Sequence, residues 1–214
     1  MLKCSTSLWS ADLANLERDI RRVAPYSDRF HLDVADGHYV PNLLFFPDQV
    51  RAIRQCTQLL FEAHLMVTDP ILWLDPFMEA GVDRFIFCHD SVADPRSVMH
   101  AIRERGKSVG MSLLVTEPIE LALSYLDQLD SVLIIGTAMG IKGASMDAGV
   151  PAKIRTIREA INERGLNVEI IADGGIRRET VPLIAKAGAD FIVPGSLMFK
   201  EDPAAMRAWL DGLR

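Results

Sequence analysis

The stretch from His31 to Asn42 holds the residues best suited to chemistry, because two imidazoles and two carboxylates fall within eight positions. The apolar run over residues 30–34 predicts a β-strand, in which alternate side chains project to the same face. His31 and Asp33 would then point to one side, either as half of a metal site or as an acid–base pair. A plain hydrogen bond between them at a strand end is the competing interpretation, so the rest of the chain has to decide.

Short apolar strands alternate with amphipathic helices along the 214 residues that surround this stretch. Strands are predicted over residues 3–8, 30–34, 59–65, 84–89, 108–114, 131–135, 168–172 and 191–193. A helix follows each strand, the first beginning near Asp12 with Ser10 as its cap and the longest spanning 151–163. Eight strand–helix pairs favour one α/β domain over residues 1–214, a single (β/α)₈ TIM barrel rather than an open doubly wound sheet.

In such a barrel the active site lies where the strands end, at the carboxyl face. The residues at these ends are Ser7, His31, Asp33, His64, Met66, His89, Asp173, Gly175, Gly195 and Ser196. Two of the histidines and both aspartates come from the second, third and seventh strands. Together they offer the nitrogen and oxygen ligands that suit one divalent metal ion such as Zn²⁺, Fe²⁺, Mn²⁺ or Co²⁺. A lone histidine is more often a hydrogen-bonded core residue, but four candidate ligands at strand ends favour a metal site.

Glycines mark a second functional feature at the same face. The seventh strand runs into Asp173-Gly174-Gly175, and the eighth runs into Pro194-Gly195-Ser196. Barrels frequently bind phosphate in these two loops, on backbone N–H groups at the start of a short helix, and glycine lets the backbone approach closely. Gly140 and Gly143, in the loop from 136 to 149, would close over the same group. The pattern therefore predicts a phosphate-binding site.

The overall composition excludes several classes of partner. A formal net charge of −6 argues against a nucleic-acid-binding surface, which would be basic. The three cysteines are widely spaced and form no CxxC pair, which fits a reducing compartment without a disulfide framework. The first residues lack the apolar core of a signal peptide, and no apolar run reaches membrane-spanning length. We therefore expect a cytoplasmic protein with neither a nucleic-acid nor a membrane partner.

These motifs together resemble the ribulose-phosphate 3-epimerase family, and the resemblance covers essentially the whole chain. The matching segments are Ser7-Leu8-Trp9-Ser10-Ala11-Asp12, Asp36-Gly37-His38-Tyr39-Val40-Pro41-Asn42, His64-Leu65-Met66, Asp173-Gly174-Gly175 and Gly195-Ser196. The second and third of these segments are highly specific, whereas other phosphosugar barrels share the glycine motifs.

The resemblance implies a metal-dependent isomerase that epimerises a ketose phosphate at C3, by default D-ribulose 5-phosphate to D-xylulose 5-phosphate. It implies that His31, Asp33, His64 and Asp173 hold the metal ion. Asp33 and Asp173 would act as the acid–base pair on opposite faces of the substrate. The implied substrate contacts are Ser7, His64, Met66, Gly140, Gly143, Gly174, Gly175, Gly195 and Ser196. Members of this family are commonly dimers or hexamers, so a homo-oligomer is expected.

Three positions depart from the family pattern and leave the sugar open. Ala35 stands where a methionine is usual, which predicts a roomier site, and Leu114-Val115 replaces an Asn-Pro. The loop after the sixth strand lacks its usual methionine, proline and one glycine but contains Lys142, which would contact the phosphate or a terminal hydroxyl, or else be solvated. A tetrulose or hexulose phosphate is thus the alternative substrate. A phosphosugar lyase, decarboxylase or synthase usually places a lysine at a strand end, and this sequence has none there.

Overall fold

Eight parallel β-strands form a barrel that closes on itself in the computed structural model, which describes residues 1–213. The strands are β1 Lys3–Ser7, β2 Arg29–Asp36, β3 Leu43–Leu44, β4 Phe61–Met66, β5 Arg84–Cys88, β6 Ser108–Leu114, β7 Ser131–Ile135, β8 Glu169–Asp173 and β9 Phe191–Ile192. Closure results because β1 pairs in parallel with both β2 and β9. The short strand β3 is additional to the eight parallel strands of the barrel and pairs antiparallel with the end of β2. The predicted (β/α)₈ TIM barrel is confirmed.

Helices return the chain from the end of one strand to the start of the next. They are α1 Leu16–Val23, α2 Pro47–Arg54, α3 Pro70–Glu79, α4 Pro95–Glu104, α5 Glu120–Leu123, α6 Val150–Glu163, α7 Val181–Ala187, α8 Ser196–Phe199 and α9 Pro203–Asp211. An Asp-Pro pair begins α3, α4 and α9, where the aspartate side chain accepts a hydrogen bond from a backbone N–H of the first turn. Proline suits the first helical position because its missing N–H would have no helical partner there. Across residues 1–213, none of these helices is long and apolar enough to cross a membrane.

The start of the first helix differs from the prediction. Ser10 belongs to a 3₁₀ turn at Leu8–Ser10 and does not cap α1, which begins only at Leu16. The Asp12 carboxylate accepts a hydrogen bond from the Ala14 N–H at 3.1 Å, and such local bonds compete with helix formation. The pairing of β3 with β2 was also not predicted, since this segment was expected to be a loop.

The strands present apolar side chains outward and many polar ones inward. On β2, Phe30, Leu32 and Val34 pack into the large core between barrel and helices. The alternate residues of the same strand, including His31 and Asp33, are buried on the inner side. A smaller apolar cluster, from β5 and β7–β9, fills the opposite part of the interior. This alternation delivers the chemical groups to the barrel axis.

Candidate active site

A cavity of about 470 Å³ opens at the carboxyl ends of the strands, the face that holds the active site in barrels of this type. The predicted site residues that line it are Ser7, Asp33, His64, Met66, Gly140, Gly143, Asp173, Gly174, Gly175, Gly195 and Ser196. His31 is the one predicted site residue outside this lining, because it is completely buried two positions before Asp33. Eleven of the twelve predicted residues thus share one cavity, and His31 lies beneath it.

Two histidines and two aspartates converge at the bottom of this cavity. His31, Asp33, His64 and Asp173 each direct one ligand atom to a common point, and these four atoms lie within 4.8 Å of one another. Strand register explains the meeting, because Asp33 on β2 lies directly beside His64 on β4. Asp173 ends β8. Nitrogen and carboxylate ligands in this arrangement suit a divalent transition metal or zinc.

The hydrogen bonds of the two imidazoles test whether they fit a metal ion. His31 Nδ1 lies 3.1 Å from the Glu62 carboxylate, and His64 Nε2 lies 3.0 Å from the Ser112 hydroxyl. The opposite ring nitrogens, His31 Nε2 and His64 Nδ1, are buried and have no hydrogen-bond partner within residues 1–213. Buried polar atoms are nearly always paired, so two unpaired nitrogens facing two carboxylates fit a cation-binding site.

The electrostatics of the cluster also fit a cation. Burial and the charge of His31 lower the pKa of His64 to about 3, so that ring is neutral at pH 7 and offers a lone pair. Burial opposes a charge on His31, but the carboxylates around it, chiefly that of Asp33, raise its pKa to about 9. Burial and the adjacent charge of Asp33 raise the pKa of Asp173 to about 7. Crowded carboxylates of this kind are stabilised by a positive ion between them.

The glycine loops line the same cavity, after β8 and β9. Gly175 has φ +68°, and a Cβ added there would lie only 2.2 Å from the backbone N of Met146. A Cβ on Gly195 would lie 2.2 Å from Ser10 Oγ. Gly175 is therefore required by a close contact with the backbone of another loop, whereas the contact at Gly195 is with a serine side chain. Contacts between loops thus add a second reason for glycine to the approach of the backbone to phosphate, which stays a prediction.

Three cationic side chains also line this cavity. Lys142, Arg177 and Lys200 all line it, and none has a carboxylate within 4.0 Å in the described part of the chain. Lys142 Nζ donates a hydrogen bond to the Trp9 carbonyl oxygen at 2.7 Å. Arg177 donates to the carbonyl oxygens of Gly143 and Ala144 at 2.6 and 3.2 Å. Cations without carboxylate partners give the part of the cavity around them a positive potential suited to an anionic group.

Comparison with known proteins agrees with this geometry. The sequence profile of the ribulose-phosphate 3 epimerase family matches residues 3–199. The chain belongs to the ribulose-phosphate 3-epimerase family. It is 38% identical over 194 residues to a ribulose-phosphate 3-epimerase of Treponema pallidum, covering 90% of this chain and 89% of the relative. It is 33% identical over 201 residues to the Bacillus subtilis protein of the same name, covering 93% of each.

Membership of the ribulose-phosphate 3-epimerase family makes the protein an isomerase that acts on carbohydrates. A 3-hexulose-6-phosphate synthase from Salmonella typhimurium superposes with a TM-score of 0.69 at 19% identity, covering 99% of this chain and 98% of that one. At that identity the likeness shows the fold alone.

The departure at Ala35 from the ribulose-phosphate 3-epimerase pattern has a structural counterpart. Ala35 lies outside the cavity lining, buried in a cluster with Val40, Met66 and Cys88. Met139, from the loop after β7, packs against this cluster and also lines the cavity. A long side chain from the loop therefore packs against the cluster that holds the small one on the strand. The expectation of a roomier site at Ala35 stays a prediction.

Two other histidines at or near strand ends do not join the site. His89 lies in a 3₁₀ turn after β5, with Nδ1 3.5 Å from Glu117 Oε1, and is outside the cavity lining. His38 is exposed in the turn after β2. That turn is held by Asp36, whose carboxylate accepts hydrogen bonds from the backbone of His38, Tyr39 and Thr68.

Several residues around the site were not predicted from the sequence. They are Glu62 and Ser112, which contact the histidines, and Trp9, Thr137, Met139, Arg177 and Lys200, which line the cavity. One signal was available for Glu62, since it precedes His64 by two positions on the same strand and must face the same way. The loop residues had no such signal, because loop conformation does not follow a period.

Proposed function

We propose that this protein is a metal-dependent ketose-phosphate 3-epimerase that interconverts D-ribulose 5-phosphate and D-xylulose 5-phosphate. The observation that carries the proposal is the pair of carboxylates, Asp33 and Asp173, at one metal-binding cluster and on different strands. The named function of the two relatives supports the choice of substrate. The three cations and the glycine loops that line the cavity support a phosphate there.

Epimerisation at C3 requires one base and one acid on opposite faces of the sugar. One carboxylate removes the C3 proton, the bonding electrons form an enediolate, and the other carboxyl group returns a proton to the opposite face. The raised pKa of Asp173 favours a carboxyl group that holds a proton near neutral pH, although a bound cation would oppose that rise. Ser7 Oγ donates a hydrogen bond to Asp33 Oδ2 at 2.7 Å, which orients that carboxylate.

The metal ion would be held by His31 Nε2, Asp33, His64 Nδ1 and Asp173. When bound, a divalent cation supplies Lewis acidity to the adjacent oxygens on which negative charge develops. Met66 is almost completely buried at the cavity wall, and its apolar side chain would exclude water from the reacting carbons. Gly140, Gly143, Gly174, Gly175, Gly195 and Ser196 would surround the phosphate.

Solvent-proton exchange tests this proposal directly. In D₂O the wild type should incorporate deuterium at C3 of D-ribulose 5-phosphate while it forms the epimer. Asp33→Asn and Asp173→Asn should each lose about 10²–10⁴-fold in rate and bind less metal. Asp36→Asn is the matched control, because Asp36 lies on the same strand but its carboxylate bonds only His38, Tyr39 and Thr68, which lie outside the cavity lining. Full activity of a chelator-treated preparation, or wild-type rates in both variants, would contradict the proposal.

The same assay distinguishes the candidate sugars. A panel of tetrulose, pentulose and hexulose phosphates, compared by kcat/KM, should rank the pentulose phosphate first. A higher value for another member would transfer the proposal to that ketose phosphate without changing the two-base chemistry. A homo-oligomer and a cytoplasmic location stay predictions from the sequence.

A further inference from the structure

Glu62 is a fully buried carboxylate directly below the cluster of metal-binding residues. It lies on β4 two positions before His64, and the strand register places it beside His31 on β2. Its side chain is not part of the cavity lining, so it contacts neither substrate nor solvent. Ionised groups are rarely buried to this degree unless they have specific partners.

Each oxygen of Glu62 has its own set of partners. Oε1 accepts from His31 Nδ1 at 3.1 Å and from Ser5 Oγ at 3.1 Å. Oε2 faces Arg29 Nη2 at 2.9 Å and Arg84 Nε at 3.5 Å. The two arginines neutralise the carboxylate from below and leave one oxygen for the imidazole above.

We infer that Glu62 is the positioning residue that fixes His31 for metal binding; this inference rests on the proposed metal-dependent function. A carboxylate only accepts hydrogen bonds, so once a metal ion takes the place of the proton on Nε2, the proton that remains on the His31 ring is held on Nδ1. Nε2 then carries the lone pair, and it is this atom that lies 3.6 Å from Asp33 Oδ1 at the centre of the cluster. Hydrogen bonding to a carboxylate also raises the basicity of the ligating nitrogen.

Glu169 provides a comparison within the same ion-pair network, although its side chain is 32% exposed. Its Oε2 accepts from Arg29 Nη1 at 2.8 Å and from Arg84 Nη2 at 2.7 Å, so it shares both arginines with Glu62. Within residues 1–213, Glu169 makes no hydrogen bond to His31. Removing the charge of Glu169 perturbs the arginines alone, whereas removing that of Glu62 perturbs the arginines and the metal ligand.

Cobalt binding to the purified full-length protein separates these two roles. The affinity for Co²⁺ is measured by chelator competition and by the visible absorption of the bound ion, in wild type, Glu62→Gln and Glu169→Gln. Glu62→Gln should weaken Co²⁺ binding about 10- to 100-fold, the usual effect of losing a carboxylate behind a ligating histidine. Glu169→Gln should bind Co²⁺ as the wild type does, even if both variants unfold at a lower urea concentration.

Each outcome decides a different point. Unchanged Co²⁺ affinity in Glu62→Gln, or an equal loss in Glu169→Gln, would overturn the positioning role. A wild type that binds none of Co²⁺, Zn²⁺, Mn²⁺ and Fe²⁺ would instead overturn the proposed function. If Glu62→Gln fails to fold, ¹⁵N-histidine NMR of the zinc-loaded wild type replaces it. His31 should then show a protonated Nδ1 and a metal-bound Nε2, and the reverse arrangement would contradict the inference.

Discussion

Replacing Gly175 by alanine tests whether two loops must pack closely together to form the glycine loops that we propose bind phosphate. Gly175 has φ +68°, and the new Cβ would lie 2.2 Å from the backbone N and 2.6 Å from the Cα of Met146. Neither contact can be relieved by a side-chain rotation, since both atoms are backbone. The loop that contains Met146 would have to move away from the loop after β8.

The magnitude follows from two separate penalties. The left-handed conformation costs an alanine about 1–2 kcal/mol relative to glycine, and overpacking adds about 1–3 kcal/mol. The reduced freedom of the unfolded chain returns about 0.4–1 kcal/mol. We therefore expect Gly175→Ala to lower the free energy of unfolding by about 1–5 kcal/mol and to raise KM for the phosphorylated substrate.

Gly165 supplies the matched control, because it separates conformation from packing. It has a similar φ of +61°, but among residues 1–213 no atom lies within 4 Å of an added Cβ. Gly165→Ala should therefore cost only about 1 kcal/mol and leave KM unchanged. Urea unfolding and steady-state kinetics measure both effects. Equal free energies of unfolding for the two variants would refute the packing argument.

Two further predictions concern charged groups. Lys142→Ala should raise KM for the phosphorylated ketose about tenfold or more with little change in kcat, because a charge-assisted hydrogen bond to the phosphate would be lost. Lys186→Ala, at an exposed position, is the control. An unchanged KM in Lys142→Ala would exclude the contact with the phosphate. Asp36→Asn should lower the free energy of unfolding at pH 7 by about 1–2 kcal/mol. Burial alone would raise the pKa of Asp36, but hydrogen bonds from Thr68, Tyr39 and His38 lower it from 3.8 to about 2. The stabilisation is therefore complete above pH 3.8 and is lost as the pH falls through about 2, so urea titrations of variant and wild type should converge there.

Periodic segments of the sequence allowed accurate prediction. The strands at 108–114 and 131–135 have the predicted bounds, and the helix predicted at 151–163 spans Val150–Glu163, because burial on both sides of a strand or one side of a helix imposes a regular pattern. The position of His64 and Asp173 at one mouth followed from the barrel rule alone. These predictions succeeded because they depend on the local pattern of buried side chains or on a rule common to all barrels of this fold.

Contacts between distant loops could not be predicted in the same way. Nothing near Gly175 in the sequence indicates that Met146 lies against it, and Met139 reaches the cluster around Ala35 only through the path of its loop. The late start of α1 has a similar origin. The spacing of Leu13 fits a helix that begins near Asp12, but Leu13 is 50% exposed and the side-chain hydrogen bonds of Asp12 outweigh that spacing. In each case a specific tertiary or side-chain contact outweighs the sequence pattern.

The depth of His31 has a consequence for the order of assembly. Its ring is completely buried, while Asp33, His64 and Asp173 line the cavity above it. Under the proposed function, an ion on its way to His31 Nε2 would therefore pass through the space that the sugar would later occupy. Loading of the ion would precede arrival of the sugar, and the bound sugar would cover the ion's route of escape. Retention of the ion would thus be a kinetic property of the occupied enzyme as well as a matter of ligand affinity.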